Sequence, residues 1–312
     1  MPVDVAFVLP PRQRFAGEGL PTAVARAFGR ADRVDARTGV EALFDVLPRG
    51  WPAAAVTRQV EAGDARDSSW LRADPAYVRA DINGARLLAI GDMLGLDSDT
   101  SEALLRPLRP LFGDAGMPIE AGRPNAWYLR LAPGSPLPAF TSPDEALGSD
   151  LFEQLPQGAD GKRWRALMSE AQVLLHHHPI NADRLNRGLA PVNSIWFWGA
   201  GRLPDHVTTP YATIHSRDTT VQAFAQLAGA TVAIPASWTT PERDAAFDLR
   251  HERRLDRLVA DWIEPALAAV AQRKLGTLRL MWSDSARFDL RRSQSLRFWK
   301  RPLRVLAERD DE

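Results

Sequence analysis

The sequence predicts a mixed α/β protein: a mostly parallel sheet flanked by helices, with an antiparallel C-terminal hairpin. Three observations point there. Apolar runs of strand length occur at residues 3–9, 194–198 and 277–281. Segments with helical spacing of apolar residues lie between them, at 162–176, 219–227 and 249–270. Finally, two strand-like runs, 277–281 and 287–291, flank Trp282-Ser283-Asp284-Ser285-Ala286, a connection suited to a hairpin.

Residues 3–9 end at Pro10-Pro11 and read as a buried opening strand. Residues 18–46 alternate helical-looking and basic stretches. Residues 75–88 mix strand and turn signals, with a tight turn expected at Asn83-Gly84. Residues 100–111 look helical, interrupted at Pro107 and Pro110, since proline lacks the N–H a helix needs. Residues 127–131 read as a short strand. Residues 132–160 are rich in Pro, Gly and Ser, including Pro133-Gly134-Ser135-Pro136, and form the linker or long-loop candidate. Residues 162–176 place Trp164, Leu167, Met168, Ala171, Leu174 and Leu175 at helical spacing. Residues 194–198 are expected as a central strand with Trp196 and Trp198 packed inside. Residues 249–270 form the longest predicted helix, with Leu255, Leu258, Val259, Trp262, Ile263 and Leu267 on one face and a kink at Pro265. One domain over 1–312 is expected, with a subdomain around 70–160.

Composition narrows the function. A chain of 312 residues with 45% hydrophobic content can bury a large core. Lysine plus arginine equals aspartate plus glutamate at 39 each, so no net field draws the chain to nucleic acid or anionic lipid. Residues 287–304 interleave Phe298 and Trp299 with basic side chains, as nucleic-acid binders do. With a neutral chain and no recognition motif, solvated arginines on a hairpin and terminal strand are the better reading. Without cysteine there are no disulfides, thiolate metal sites or cysteine nucleophiles. That fits a reducing compartment. The N-terminus lacks a basic leader, and no apolar run approaches the ~20 residues of a membrane span. A cytoplasmic protein, with neither membrane nor nucleic acid as partner, is expected.

The densest chemistry runs from His176 to Pro204. Glycines after a strand let the backbone approach a ligand, and ligands of open α/β sheets sit beyond the carboxyl ends of strands. Asn181, Arg184, Asn193, Gly199 and Gly201, with His178, are therefore expected around one cleft beyond residue 198. The ligand would be a phosphorylated or carboxylated small molecule, held by charge-assisted bonds from Arg184. The plainer alternatives stay open. Gly199-Ala200-Gly201 can be a turn, the asparagines can satisfy buried backbone groups, and Arg184 can pair with Asp183 or another carboxylate. His176-His177-His178 suits a helix end better than a metal site, because adjacent helical side chains diverge. In His215-Ser216-Arg217-Asp218, Ser216 or Asp218 reads as a helix N-cap, or the helix start binds an anion with Arg217. Asp74 and Asp81 read as surface ion-pair partners of Arg72 and Arg79, with a metal or acid–base pair as the sharper alternative.

A resemblance adds to this. His178-Pro179-Ile180-Asn181, Arg184, Arg187-Gly188, Pro191-Val192-Asn193 and Gly199-Ala200-Gly201 resemble a segment of archaeal-type cofactor-independent phosphoglycerate mutases, of the alkaline-phosphatase superfamily. Over most of residues 70–302 the chain resembles RpfE-type regulatory proteins more closely. Leu71-Arg72-Ala73-Asp74-Pro75, Trp127-Tyr128-Leu129-Arg130-Leu131, Glu170-Ala171-Gln172, Ser194-Ile195-Trp196-Phe197-Trp198-Gly199 and Leu296-Arg297-Phe298-Trp299 carry that likeness. The mutase resemblance implies a reduced sheet of that superfamily and, for catalysis, two divalent metals and a serine nucleophile. The family's Asp-Gly metal loop after the first strand is replaced here by Pro10-Pro11, and its C-terminal Asp and His ligand set has no counterpart. No metal ligand, nucleophile or cofactor is carried over. The expected function is a non-catalytic regulatory or ligand-binding role on a degenerate scaffold. An active metal-dependent phosphomutase or phosphatase, and a protein–protein interaction module, are the alternatives.

Overall fold

The opening strand, Val3–Leu9, is buried from Val5 to Leu9 because it lies in the middle of a seven-stranded sheet. In a computed structural model describing residues 2–36, 38–81, 84–132 and 134–309, the strand order is Thr231–Val232, Thr213–His215, Ala245–Asp248, Val3–Leu9, Leu275–Trp282, Ala286–Leu290 and Asp32–Asp35. The first five run parallel, and the last two add antiparallel pairs. The expected mostly parallel sheet and C-terminal hairpin are therefore both present. Buried parallel strands read as continuous apolar runs, which is why residues 3–9 were visible in the sequence. Phe7 meets Trp238, Phe247 and Trp262 edge-on, joining the sheet to its helices.

The chain divides into two compact units, one made of residues up to Arg49 and from His206 onward, the other of Gly50–Asp205. The seven-stranded sheet belongs to the first. The subdomain expected around 70–160 falls within the second.

The second unit is built on an antiparallel sheet whose long strand is Ser69–Asp81. Ala126–Leu131 pairs with its first half and Gly84–Ile90 with its second, while Ser194–Arg202 takes the opposite edge. Asn83 of the expected turn lies outside the described residues, as does Pro133 of the expected linker. Residues 194–198 were expected as a central strand, and here the structure differs. Ser194–Arg202 pairs with one strand only, so it is a sheet edge. Its first five residues are nonetheless buried, packed against the helices Ala53–Ala62 and Gly158–His176. Trp196 and Trp198 are inside, at 2% and 9% exposure. An edge closed off by helices reads in sequence like a central strand.

Two helices depart from expectation for identifiable reasons. Ser98–Asp114 is continuous through Pro107 and Pro110. The two prolines lie one turn apart on the outer side, so the carbonyls they leave unpaired can meet water, while Leu104, Leu105, Leu108 and Phe112 anchor the inner face. The helix expected from residue 249 starts at Leu255. Before it, the Asp248 carboxylate accepts from the Arg250 backbone N–H and locks the strand exit into a turn. The helix widens into a π-turn at Val259–Ile263, just before Pro265, which is how the missing N–H is accommodated.

Candidate functional site

The residues singled out in the sequence do not gather at one end of the strand. Asn181 is buried and clamps the turn before the strand. Its Nδ2 donates to the Leu175 and Val192 carbonyls, and its Oδ1 accepts from the Val192 N–H, at 2.8–2.9 Å. Arg184 is also buried and donates to the carbonyls of Ala190 (2.8 Å) and Leu94 (2.6 Å) rather than to a carboxylate. Burial pushes its guanidinium below the usual value, with Arg187 adding to the effect. Asn193 imitates a strand residue, accepting from the Val78 N–H and donating to the Val78 carbonyl. These three lie before Ser194, at the strand's amino end. His178 belongs to the same turn, its carbonyl accepting from the Asn181 N–H and its Nδ1 from the Ile180 N–H at 3.3 Å.

Gly199 and Gly201 lie about 20 Å further on, at the other end of the strand. They form neither a free turn nor an anion loop, since the strand continues to Arg202. One extra residue is accommodated there as a bulge opposite Trp70–Arg72, with Gly199 at φ 67°. A Cβ on Gly199 would stand 2.8 Å from the Ala53 Cβ, and one on Gly201 2.6 Å from the Pro52 Cβ. The glycines clear space for the start of the Ala53–Ala62 helix. The cleft expected from the sequence is thus replaced by two separate packing devices.

A polar centre that the sequence suggested chiefly as a surface ion pair, with a metal or acid–base pair as the alternative, is buried in the same unit. Arg72 Nε donates to Asp74 Oδ1 at 2.8 Å, and both residues are under 5% exposed. Asp74 also accepts from Trp198 Nε1 (2.7 Å) and the Trp127 N–H (3.3 Å). Burial works against the Arg72 charge, but the adjacent Asp74 carboxylate outweighs it and holds the guanidinium's pKa above its usual value. The Tyr128 and Trp198 rings stack on the same guanidinium. The surface reading holds for Asp81, though its partner is Arg86.

The first unit carries a second cluster, at the carboxyl ends of its parallel strands. Ser216 follows the Thr213–His215 strand, and Asp248 ends Ala245–Asp248. The Ser216 hydroxyl donates to Asp248 Oδ2 at 2.7 Å. Arg250 spans both Asp248 oxygens at 2.9 Å and reaches Asp218 Oδ2 at 2.8 Å. Burial pushes the Asp248 carboxyl up, but the bonds and charge of Arg250, with the Ser216 hydroxyl, outweigh it and hold it below the ordinary carboxylate range. Asp218 caps the helix Thr219–Leu227, accepting from the Thr220 and Val221 N–H groups, which is the N-cap reading. Arg12 and Arg14 follow the opening strand. Arg12 pairs with Asp284 beyond the Leu275–Trp282 strand, and Arg14 donates to the Arg250 and Glu252 carbonyls. Sequence reasoning found Ser216 and Asp218 but missed Asp248 and Arg250. Their strand is four residues long, too short for a period to show, and the signal was the abrupt Asp-Leu-Arg after an apolar run.

No family model matches the chain. A stretch of 64 residues, 20% of this chain, is 39% identical to the 2,3-bisphosphoglycerate-independent phosphoglycerate mutase of Methanosarcina mazei. A stretch of 62 residues is 40% identical to the probable enzyme of the same name from Geobacter sulfurreducens. Each match spans 16% of the relative's own length. Among solved structures, the cofactor-independent phosphoglycerate mutase of Thermoplasma acidophilum superposes with a TM-score of 0.41 at 11% identity, covering 93% of this chain and 90% of that one. A Pyrococcus horikoshii protein gives 0.40 at 11%, covering 96% and 90%. The chain is thus distantly similar to cofactor-independent phosphoglycerate mutases over part of its length.

Proposed function

We propose that the chain is a non-catalytic regulatory or ligand-binding protein of the RpfE type, on a degenerate scaffold related to the phosphoglycerate mutases. The observation that carries this is Arg250. A two-metal centre needs open carboxylates converging on cations. At the carboxyl ends of the parallel strands, Asp218 and Asp248 converge instead on a guanidinium of the protein itself. The opening strand, which would supply a further ligand, ends in Pro10-Pro11. Among the described residues, no three His, Asp or Glu side chains are grouped to hold a metal ion. The residues present do not fit the metal centre that the mutase resemblance implies.

The ligand class we favour is a phosphorylated or carboxylated small molecule, bound beyond these strand ends. Arg217 supports this, being exposed beside the cluster and without an ion-pair partner among the described residues.

Two measurements test the proposal. Metal analysis of the purified protein should find less than one divalent ion per chain, and turnover of 3-phosphoglycerate and of a generic phosphate ester should stay at background with added Mn2+ or Mg2+. Metal-dependent turnover would instead establish an active phosphomutase or phosphatase. Calorimetry against phosphorylated and carboxylated metabolites should find a ligand whose affinity falls in Arg217→Ala.

A further inference from the structure

The first unit carries a groove of about 690 Å3 between the helix Thr22–Arg30, the helix Glu264–Ala271 and the turn Arg292–Leu296. Much of its lining is aliphatic: Ala27, Leu267, Ala271 and Leu290 bring methyl and methylene side chains to it. The rim is cationic. Arg30 and Arg291 are already engaged, the first with the Ser295 carbonyl and the second with Asp32. Arg26 and Arg292 line the groove, are exposed, and have no ion-pair partner among the described residues. Glu264 is the one acidic residue among those lining it.

Beyond the groove wall the chain continues into the most exposed of the large apolar side chains among the described residues. Leu296, Phe298 and Trp299 are 73%, 81% and 65% exposed, within four residues. Phe298 and Trp299 touch only edge-to-face, at 5.3 Å between ring centres. The segment bearing them is firmly held. Arg297 donates to the Arg30 carbonyl and to Asp32, the Arg301 carbonyl lies where a Cβ on Gly29 would have to be, and the Leu303 N–H donates to the Ala25 carbonyl. Exposed aromatics on an anchored segment are presented to solvent at little further ordering cost, and Trp and Arg are among the residue types enriched at the hot spots of protein interfaces.

We propose that this face docks an acidic, amphipathic segment of a partner protein, its apolar side chains on the aliphatic lining and against Trp299, its carboxylates on Arg26 and Arg292. Charge complementarity selects this occupant. A second copy would bring Lys300 and Arg301 of its own tail toward a rim that is already cationic. A nucleic acid would need phosphate contacts along the tail. There, however, Arg287 is committed to Asp289, and Arg291 and Arg297 to Asp32, so half of the six arginines at 287–304 are paired internally, and the chain as a whole carries no net positive charge. The aliphatic groove itself offers bases no stacking surface, which leaves that role to Phe298 and Trp299 beside it, and the oligonucleotide arm of the test below reads it. The inference is independent of whether the strand-end cluster binds a ligand.

The test uses the full chain and a labelled synthetic helix-forming peptide with leucine every third or fourth position and glutamate between. Fluorescence anisotropy should show saturable binding that weakens with salt. Charge reversal in R26E/R292E should weaken it roughly tenfold or more, and Trp299→Ser should weaken it by a similar factor. Circular dichroism and melting of both variants should match the parent, since these side chains are exposed. The same peptide with lysine for glutamate should not bind. Absence of saturable binding overturns the proposal, and so does binding that both variants retain. Tighter, Arg292-dependent binding of a single-stranded oligonucleotide would replace it with a nucleic-acid face. Concentration-dependent dimerisation abolished by Trp299→Ser would replace it with self-association.

Discussion

Arg250 acts as a fixed counter-ion, and its removal should be felt in stability. Asp248 is 4% exposed and shares its two oxygens among Arg250, Ser216 and a backbone N–H. Arg250→Ala leaves that carboxylate without its cation, an expected loss of about 3–5 kcal/mol in urea unfolding near neutral pH. The pH dependence has a definite sign. Because the folded-state pKa of Asp248 is depressed, its contribution is complete above the ordinary carboxylate pKa of ~4 and is lost as pH falls through the lowered folded value. In Arg250→Ala the buried carboxyl prefers its proton, so the gap between parent and variant should narrow as the pH is lowered. A gap that is constant with pH would mean that the ion pair is not its source. Arg184 makes a parallel case. Arg184→Ala strands the Ala190 and Leu94 carbonyls and should lower stability by roughly 2 kcal/mol. Unchanged stability with reduced affinity for a phosphorylated metabolite would return Arg184 to a binding role. At this scale the sequence showed which residues were unusual but not what they bond. Asn181, Arg184 and Asn193 are the same residue types whether they hold a ligand or a loop, and only the positions of the Leu94, Val192 and Val78 backbone groups decide between the two. Those groups are remote in sequence or hidden in turns.

Among the elements, the strand Ser194–Arg202 and the helix Ser98–Asp114 show what period and composition reveal. The tryptophan alternation correctly placed Trp196 and Trp198 inside, because side-chain direction is a local property. It could not say whether a strand or a helix would cover the strand's second edge. The prolines misled for the same reason: their cost depends on whether the freed carbonyls face water, which is a tertiary fact. It follows that Pro107→Ala should be tolerated and should raise the unfolding free energy by up to the ~3 kcal/mol that proline costs within a helix, seen as a higher melting temperature. Gly201→Ala should do the reverse. Its new Cβ would stand 2.6 Å from the Pro52 side chain and 3.2 Å from the Pro52 Cα, costing about 1–3 kcal/mol by chemical denaturation. Short strands such as Thr213–His215 and Ala245–Asp248 remained unread because three or four residues cannot display a repeat.

For the whole molecule, each compact unit has a core of its own. The cluster containing Leu71, Leu104, Trp127, Trp164 and Phe197 draws all its members from Gly50–Asp205, and the cluster around Phe7, Trp262 and Leu280 draws none from it. A fragment of residues 50–205 is therefore expected to unfold cooperatively by itself, as followed by circular dichroism in urea. A gradual, non-cooperative loss of signal would show that its core is incomplete. Of the parallel sheet, only the two long strands Val3–Leu9 and Leu275–Trp282 were legible, the third predicted run, 194–198, lying in the antiparallel sheet of the other unit; the hairpin was legible from its turn. The division into units was not, because it is defined by contacts between residues up to Arg49 and those after Asp205, and no local composition marks such a pairing.

The three-residue strands Asp45–Leu47 and His206–Thr208 pair antiparallel, with Leu47 opposite His206. The chain thus leaves the parallel-sheet unit and returns to it at neighbouring points, about one strand spacing apart. Viewed from that unit, everything between behaves as an oversized hairpin loop. The entropy of closing a loop grows only with the logarithm of its length, so exchanging this one for a short glycine-rich turn changes the closure term by a few kcal/mol at most.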